Sequence, residues 1–276
     1  MTEVLDEVRS HYRATGLVER LKAALTVFGP EDRPIAPQQL APLDQFHTRG
    51  LAATSDLARS AGVEADMAVL DVGSGVGGPA RFLAGNYGCR VTGIDLSEPF
   101  VEAARYLTER TGQTRQVSFK TANALDLPFG DGRFDAVFLQ HVAMNIADRA
   151  RLYREIRRVL RPGGRFATFD VVLGGGDPHY PVPWARTPDT SFLMTAAATR
   201  DAIELADFRT LTWLDDTEAA KTWFAQMRAS GPPPSPNLSV LMGADFPQLI
   251  GNLARNLIEG RLDILSAVFE AAPIHT

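Results

Sequence analysis

The sequence predicts an α/β fold, a doubly wound parallel sheet covered by helices, on three observations. Val69-Leu-Asp-Val72 is an apolar run that ends in Gly73-Ser-Gly-Val-Gly-Gly78 and Pro79, the pattern of a buried strand, a tight turn and a helix start. Arg90-Val-Thr-Gly-Ile-Asp95 is a second short strand, and it closes in an acid about twenty residues after the first glycine, as a β-α-β unit requires. From about residue 66 to 172 such strands alternate with amphipathic helices, which implies a parallel sheet.

Taken in order, residues 1 to 28 read as helical, with Val4, Val8, Leu17, Leu21 and Leu25 among the apolar positions. Gly29 to Pro42 is rich in breakers, and Leu43 to Gly50 leads into a helix over 51–60. Pro79 suits the first turn of the helix behind the glycines, where its missing N–H is no loss. Val117 to Phe129 is a strand running into a loop, and Asp131-Gly132 is a turn before a buried strand that ends near Leu139. Arg151 to Leu160 carries apolar residues at 152, 156, 159 and 160, a helical stripe whose arginines face solvent. Arg161-Pro-Gly-Gly stops that helix, and Phe166 to Val172 is the fifth strand. A turn-rich loop over 174–184 follows, then a helix over 199–206, a strand over 209–214, helices over 217–228 and 245–258 around a breaker at 231–236, and a last strand over 261–271. The chain thus divides into an N-terminal helical cap, 1–60, and a core, 61–276, with insertions at about 174–198 and 217–258.

A chain of 276 residues with 45% hydrophobic and 22% charged residues is ordinary for a globular protein with a large core. Its net charge of −5 argues against a nucleic-acid partner. The single cysteine, Cys89, allows no internal disulfide, and no metal-ligand cluster is visible. No apolar run reaches membrane-spanning length, and the acidic, polar start Met1-Thr-Glu-Val-Leu-Asp does not read as a signal peptide. A cytoplasmic enzyme acting without a membrane is the expectation; the oligomeric state stays open.

Glycines at 73, 75 and 78 also satisfy the dinucleotide pattern, and free N–H groups with the positive helix end are expected to face the ligand. Asp71 speaks against a pyrophosphate, since it sets a carboxylate beside two negative phosphates; a cationic ligand suits it better. Leu70-Asp-Val-Gly-Ser-Gly-Val-Gly-Gly78 resembles the first motif of class I S-adenosylmethionine (SAM)-dependent methyltransferases. The similarity extends to an acid–Ala pair after the third strand, held here by Asn123 and Ala124, then Leu127-Pro-Phe129, and to the helix, Arg161-Pro-Gly-Gly164 and strand. Asp44-Gln-Phe-His-Thr-Arg-Gly50 resembles the entry segment of the ubiquinone/menaquinone methylase and sarcosine/dimethylglycine N-methyltransferase group.

That resemblance implies the seven-stranded Rossmann-like methyltransferase sheet, order 3-2-1-4-5-7-6 with an antiparallel seventh strand, and SAM as cofactor. It implies that Asp71, Gly73, Ser74, Gly75 and Gly77 cradle SAM. Asp95 accepts from both ribose hydroxyls with Leu96 beside it, and Asn123 and Ala124 read adenine, the amide oxygen of Asn123 accepting from the exocyclic amine. Gln140 sits at the methyl-donor end, Thr48 and Gly50 approach the cofactor carboxylate, and Phe46 and His47 wall the methyl. His141, just past the fourth strand, is the first candidate for a base near its ordinary pKa, and His47 the second. His179, Tyr180, Met144, Trp184, Phe192 and Met194 are candidates for an acceptor pocket. The expected function is methylation of a small-molecule acceptor, by O- or C-transfer to a secondary metabolite or quinone-like compound, with N-methylation of a small amine as the alternative. A SAM-binding protein with another reaction and an NAD(P)-dependent oxidoreductase are the remaining readings.

Overall fold

Strand β1 (Ala68–Val72) is the third strand of a seven-stranded sheet in the order β3-β2-β1-β4-β5-β7-β6. The other strands are β2 (Arg90–Asp95), β3 (Val117–Thr121), β4 (Phe134–Gln140), β5 (Leu160–Leu173), β6 (Phe208–Asp215) and β7 (Leu262–Ala271). Strands β3 to β5 pair in parallel, while β7 runs antiparallel to both β5 and β6. The computed structural model describes residues 16–231 and 235–272. The expected helical positions Val4 and Val8 and part of the 231–236 breaker lie outside them.

Alternation along the strands splits the core into two layers. Val69, Val91, Ala136, Phe138 and Phe169 face one way and pack on the helices Leu51–Ala61, Gly78–Tyr87 and Phe246–Ile258. Leu70, Ile94, Val137, Phe166 and Phe269 face the other way, onto Arg149–Val159 and Ala196–Glu204. A third cluster belongs to the cap: Leu17, Leu21 and Leu25 of helix Leu17–Leu25 meet Val76 behind the glycine loop and Phe100 and Leu107 of helix Glu98–Arg110. Beneath it the buried Arg81 donates to Asp44 at 2.8 Å and to Thr108 at 3.1 Å. That pair ties the segment before Gly50 to the helix that follows the glycine loop.

Several boundaries differ from expectation, each for a local reason. β5 begins at Leu160, so Arg161-Pro-Gly-Gly164 is the irregular start of the strand, with a register shift opposite Phe134 and Ala136. The arginine-rich helix begins at Arg149 because the Asp148 side chain accepts from Arg151 N–H, an N-cap. Thr195 caps Ala196–Glu204 in the same way, moving that helix three residues earlier than its apolar pattern suggests. The four-residue helices Ala41–Asp44 and Ser239–Met242 were not expected. They are too short to form alone, and hold through burial of Leu43 and Leu241 and a bond from Leu238 N–H to Pro42 O at 3.0 Å. Among the described residues no helix is long and apolar enough to cross a membrane.

Candidate active site

Two cavities meet above the carboxyl ends of the central strands, where a doubly wound sheet reverses its order and ligands bind. The first, about 450 Å³, is lined by Gly73 and Gly75 after β1, Asp95 and Leu96 at the end of β2, Asn123 and Ala124 after β3, and Gln140 and His141 at the end of β4. The second, about 320 Å³, lies under the cap and includes His47, Thr48 and Gly50. Phe46 and His141 line both, so these two rings mark the junction.

The glycine loop works by shape more than by donors. The N–H groups of Gly73 and Ser74 both donate to Ile94 O at 2.8 Å, Gly77 N–H donates to Ser74 O, and Gly75 N–H donates to Asp95 Oδ2 at 2.9 Å. The expectation of free loop N–H groups is therefore corrected at these positions: closing the turn onto β2 engages them, which removes the cradle a pyrophosphate requires. A side chain on Gly73 would overlap Val142, and one on Gly77 would overlap Phe119; Gly77 serves packing behind the loop. Gly75 differs, since at φ +53° its missing Cβ would stand 3.7 Å from the Phe46 ring, on the cavity side.

Asp95 is held at both oxygens, by Gly75 N–H and by Ser97 N–H, each at 2.9 Å. Burial pushes its carboxyl pKa up against the pull of those backbone donors, and each oxygen keeps a lone pair for a ligand hydroxyl. Asp71 is 2% exposed, and burial, with the Asp95 charge second, pushes it up to about 7. Asp71 Oδ2, Ser74 Oγ, Gln140 Nε2 and Asn145 Oδ1 are buried without a hydrogen-bond partner. Of these, Gln140 and Asn145 line the first cavity; a buried polar atom without a partner beside a cavity calls for a ligand, and a polyhydroxylated one such as SAM fits an amide donor beside the Asp95 carboxylate. Asn123 departs from its expected role: its Oδ1 accepts Leu125 N–H at 2.9 Å in an Asx turn, so an adenine amine would have to share that oxygen.

His141 follows β4 in the left-handed region, φ +54°, a strained setting for a residue with a side chain. Its N–H donates to Phe169 O at 2.8 Å and its ring stacks on Phe169, centroids 5.4 Å apart. Thr48 Oγ1 is 3.4 Å from His141 Nε2. The ring is half-buried between the two cavities, and desolvation, with His47 second, pushes its pKa well below the ordinary histidine value. His47 is pushed down to about 4 by burial. The Gly50 carbonyl accepts from His47 Nε2 at 3.0 Å, so that nitrogen carries the proton; Thr54 Oγ1 lies 2.9 Å from it and donates onward to Gln140 Oε1 at 3.1 Å. The expectation of a base near its ordinary pKa is corrected for both histidines: each is a neutral imidazole at pH 7.

Thr48 and Gly50, expected at the cofactor carboxylate, line the second cavity with His47. Met144 and Trp184 line it too, whereas His179 pairs with Glu259 at 2.7 Å on the far side of the loop. Phe192 and Met194 are absent from the lining. Sequence reasoning missed Thr54, Asn145, Trp223, Met227 and Met242. The signal for the cap residues was present as helical spacing, Trp223 to Met227 and Phe246, Ile250, Leu253, but such a stripe reads equally as plain core.

Residues 70–168 match the family described as a methyltransferase domain. A methyltransferase of Streptomyces halstedii, GfsG, is 39% identical over 133 residues, 48% of either chain. An O-methyltransferase of Aspergillus sclerotiorum, resE, is 35% identical over 62% of this chain and 61% of its own. A sarcosine/dimethylglycine N-methyltransferase of Halorhodospira halochloris is 39% identical over 50% and 49%. The chain thus spans about half the length of the curated relatives it matches. Among solved structures, geranyl diphosphate C-methyltransferase from Streptomyces coelicolor A3(2), in a complex with Mg²⁺, geranyl-S-thiolodiphosphate and S-adenosyl-L-homocysteine, superposes with a TM-score of 0.71 at 18% identity over 98% of both chains. The [4+2]-cyclase SpnF does so at 0.63 and 22%, over 87% of this chain and 98% of its own. The Rossmann-like methyltransferase fold expected from the sequence is the fold observed.

Proposed function

We propose that this chain, whose residues 70–168 match a methyltransferase domain, transfers a methyl group from SAM to a small-molecule acceptor, a secondary metabolite or quinone-like compound. The observation that carries this reading is the first cavity: Gly75, Asp95 and Gln140 around buried polar atoms that lack partners. SAM supplies an activated methyl on a sulfonium. The residues of the chain then bind, align and exclude water. Asp95 would take the ribose hydroxyls, Leu96 and Ala124 the adenine walls with Asn123 at its edge, and Asp71 and Gln140 the charged methionine end near Ser74. Phe46 and His141 would enclose the reacting carbon, with Thr48 and Gly50 on the acceptor side.

The relatives are named as O-, C- and N-methyltransferases, so the atom methylated belongs to the proposal. Transfer to oxygen or carbon is favoured here because the second cavity offers no carboxylate to hold an ammonium. A reaction other than methyl transfer is kept in view by the likeness to a [4+2]-cyclase. A cytoplasmic site of action, and a role without nucleic acid, go with the same proposal. The test is calorimetric titration with S-adenosylhomocysteine, followed by its release on an acceptor panel. Asp95→Ala should weaken binding roughly ten- to hundred-fold, since charge-assisted hydroxyl bonds are worth about 1.5–3 kcal/mol each. Affinity unchanged within two-fold would remove Asp95 from the site; binding without release on any acceptor would favour the non-methylating reading.

A further inference from the structure

The second cavity carries an inference about the acceptor. Its walls come from the cap and the late helices: Trp184, Trp223, Phe224, Met227, Met242 and Leu253 are among them. None of the described residues lining it is an Asp, Glu, Lys or Arg. The titratable groups facing it are His47 and His141, and burial keeps both neutral. The nearest cation of the cap, Arg49, is bonded to Asp56 and Asp216. No group of three or more His, Cys, Asp or Glu side chains able to hold a metal ion occurs among the described residues. A diphosphate, a carboxylate or an ammonium placed here would lose its water and find no opposite charge, a cost that excludes such ligands from apolar sites.

The polar side chains lining the cavity are Gln45, His47, Thr48 and His141. Thr48 and His141 approach one another at the junction with the first cavity, and Gln45, whose Oε1 is buried without a partner, also lines the second. A ligand with an apolar body and one hydrogen-bonding head would be oriented with its head toward Phe46 and His141.

We propose, resting on the methyltransferase reading, that the acceptor is an uncharged, largely apolar hydroxyl compound, inserted body-first between Trp184 and Trp223 with its hydroxyl at the Thr48–His141 junction. The hydroxyl oxygen forms a bond to the methyl carbon as the carbon–sulfur bond breaks and its electron pair stays on sulfur. The hydroxyl proton, strongly acidic once that bond forms, passes to the neutral imidazole of His141 and on to solvent. A depressed pKa does not obstruct this step, because it keeps the imidazole free to accept at pH 7.

The test uses the full chain and isothermal titration with three probes of one shape: 2-naphthol, 2-naphthyl phosphate and 2-naphthylmethylammonium, with and without S-adenosylhomocysteine. 2-Naphthol should bind, and both charged probes should bind at least tenfold more weakly. In Met227→Glu the order of the naphthol and the ammonium should reverse, while S-adenosylhomocysteine affinity stays within two-fold. Failure of 2-naphthol to bind, or a charged probe binding as tightly to the unaltered chain, overturns the proposal. Failure of S-adenosylhomocysteine to bind, with the naphthol preference intact, would instead strike the cofactor reading and leave the uncharged cavity standing.

Discussion

The two cavities share a wall and differ in how the chain assembles them and in whether charged side chains line them. The first, Phe46 apart, stands on strand ends and tight turns within one stretch of chain, from Gly73 to Asp148. It is rich in held or orphaned polar atoms, among them Asp95 and Gln140. The second is assembled from four separated stretches of chain, near residues 41–50, 141–144, 183–184 and 223–253, and is walled chiefly by aromatic and thioether side chains. The difference teaches where specificity can change. A site whose donors and acceptors are fixed by backbone geometry accepts one ligand chemistry, because every mismatch leaves a buried group unpaired. An apolar site made of helix faces is reshaped by single side chains, so relatives with one cofactor half can serve different acceptors.

The largest effect should come from the junction. If His141 is the proton acceptor, His141→Ala should lower the single-turnover rate about 10²–10⁴-fold while S-adenosylhomocysteine affinity changes little. Because its pKa lies well below 6.5, the rate should stay flat through neutrality and fall only on the acid side, as the imidazole takes a proton. A rate within three-fold of the unaltered chain would remove His141 from the chemistry. A fall in affinity parallel to the rate would make it a cofactor-positioning group.

Next in size is a change confined to the cofactor half. Gly75→Val combines a left-handed backbone position, which costs a branched residue about 1–2 kcal/mol, with a side chain directed at Phe46 and the cavity. Cofactor affinity should drop by about a hundredfold or more, with 2-naphthol binding kept. Normal cofactor binding by a folded Gly75→Val chain would place the cofactor elsewhere. The mirror experiment is Trp223→Ala. Losing that ring should weaken the naphthol probe about tenfold, from the apolar area no longer covered, and leave the cofactor constant unaltered. Equal loss of both ligands would show that the two cavities do not act separately.

The smallest effect is a pH slope that sets the cavities apart. Asp71 has a folded-state pKa of about 7, raised by burial and then by Asp95. It holds a proton below that pH and is ionised above it. A cationic cofactor prefers the ionised form, so affinity should rise with pH through about 7 and level off, changing by at most tenfold per unit. Folding has the opposite sign: a carboxyl pKa raised on folding contributes stability that declines as pH rises from about 4 to 7. Naphthol binding should be flat over the same range. An Asp71→Asn chain that keeps the cofactor's pH slope would rule out this carboxyl as its source.

Much of the cofactor half was legible because its signals are local. Glycines at 73, 75 and 77 adopt positive φ, and Asp95 ends β2 as the spacing required. Asn123 was visible as a departure from the acidic position, but its Asx turn was a matter of which neighbour the amide reached first. The cap was less legible. Short helices such as Ala41–Asp44 exist only through contacts with distant residues, and the Arg81–Asp44 pair beneath them joins positions 37 residues apart.

The sequence by itself determined the alternation of strands and helices, the position of the glycine turn and the acid that closes β2, since periodicity and turn chemistry act over a few residues. Only the tertiary structure decided that the loop N–H groups turn inward to β2, that desolvation keeps His47 and His141 neutral, and that Trp184, Trp223 and Met242 close on one uncharged cavity. Burial and desolvation depend on what the rest of the chain brings near a group, and no local pattern encodes that.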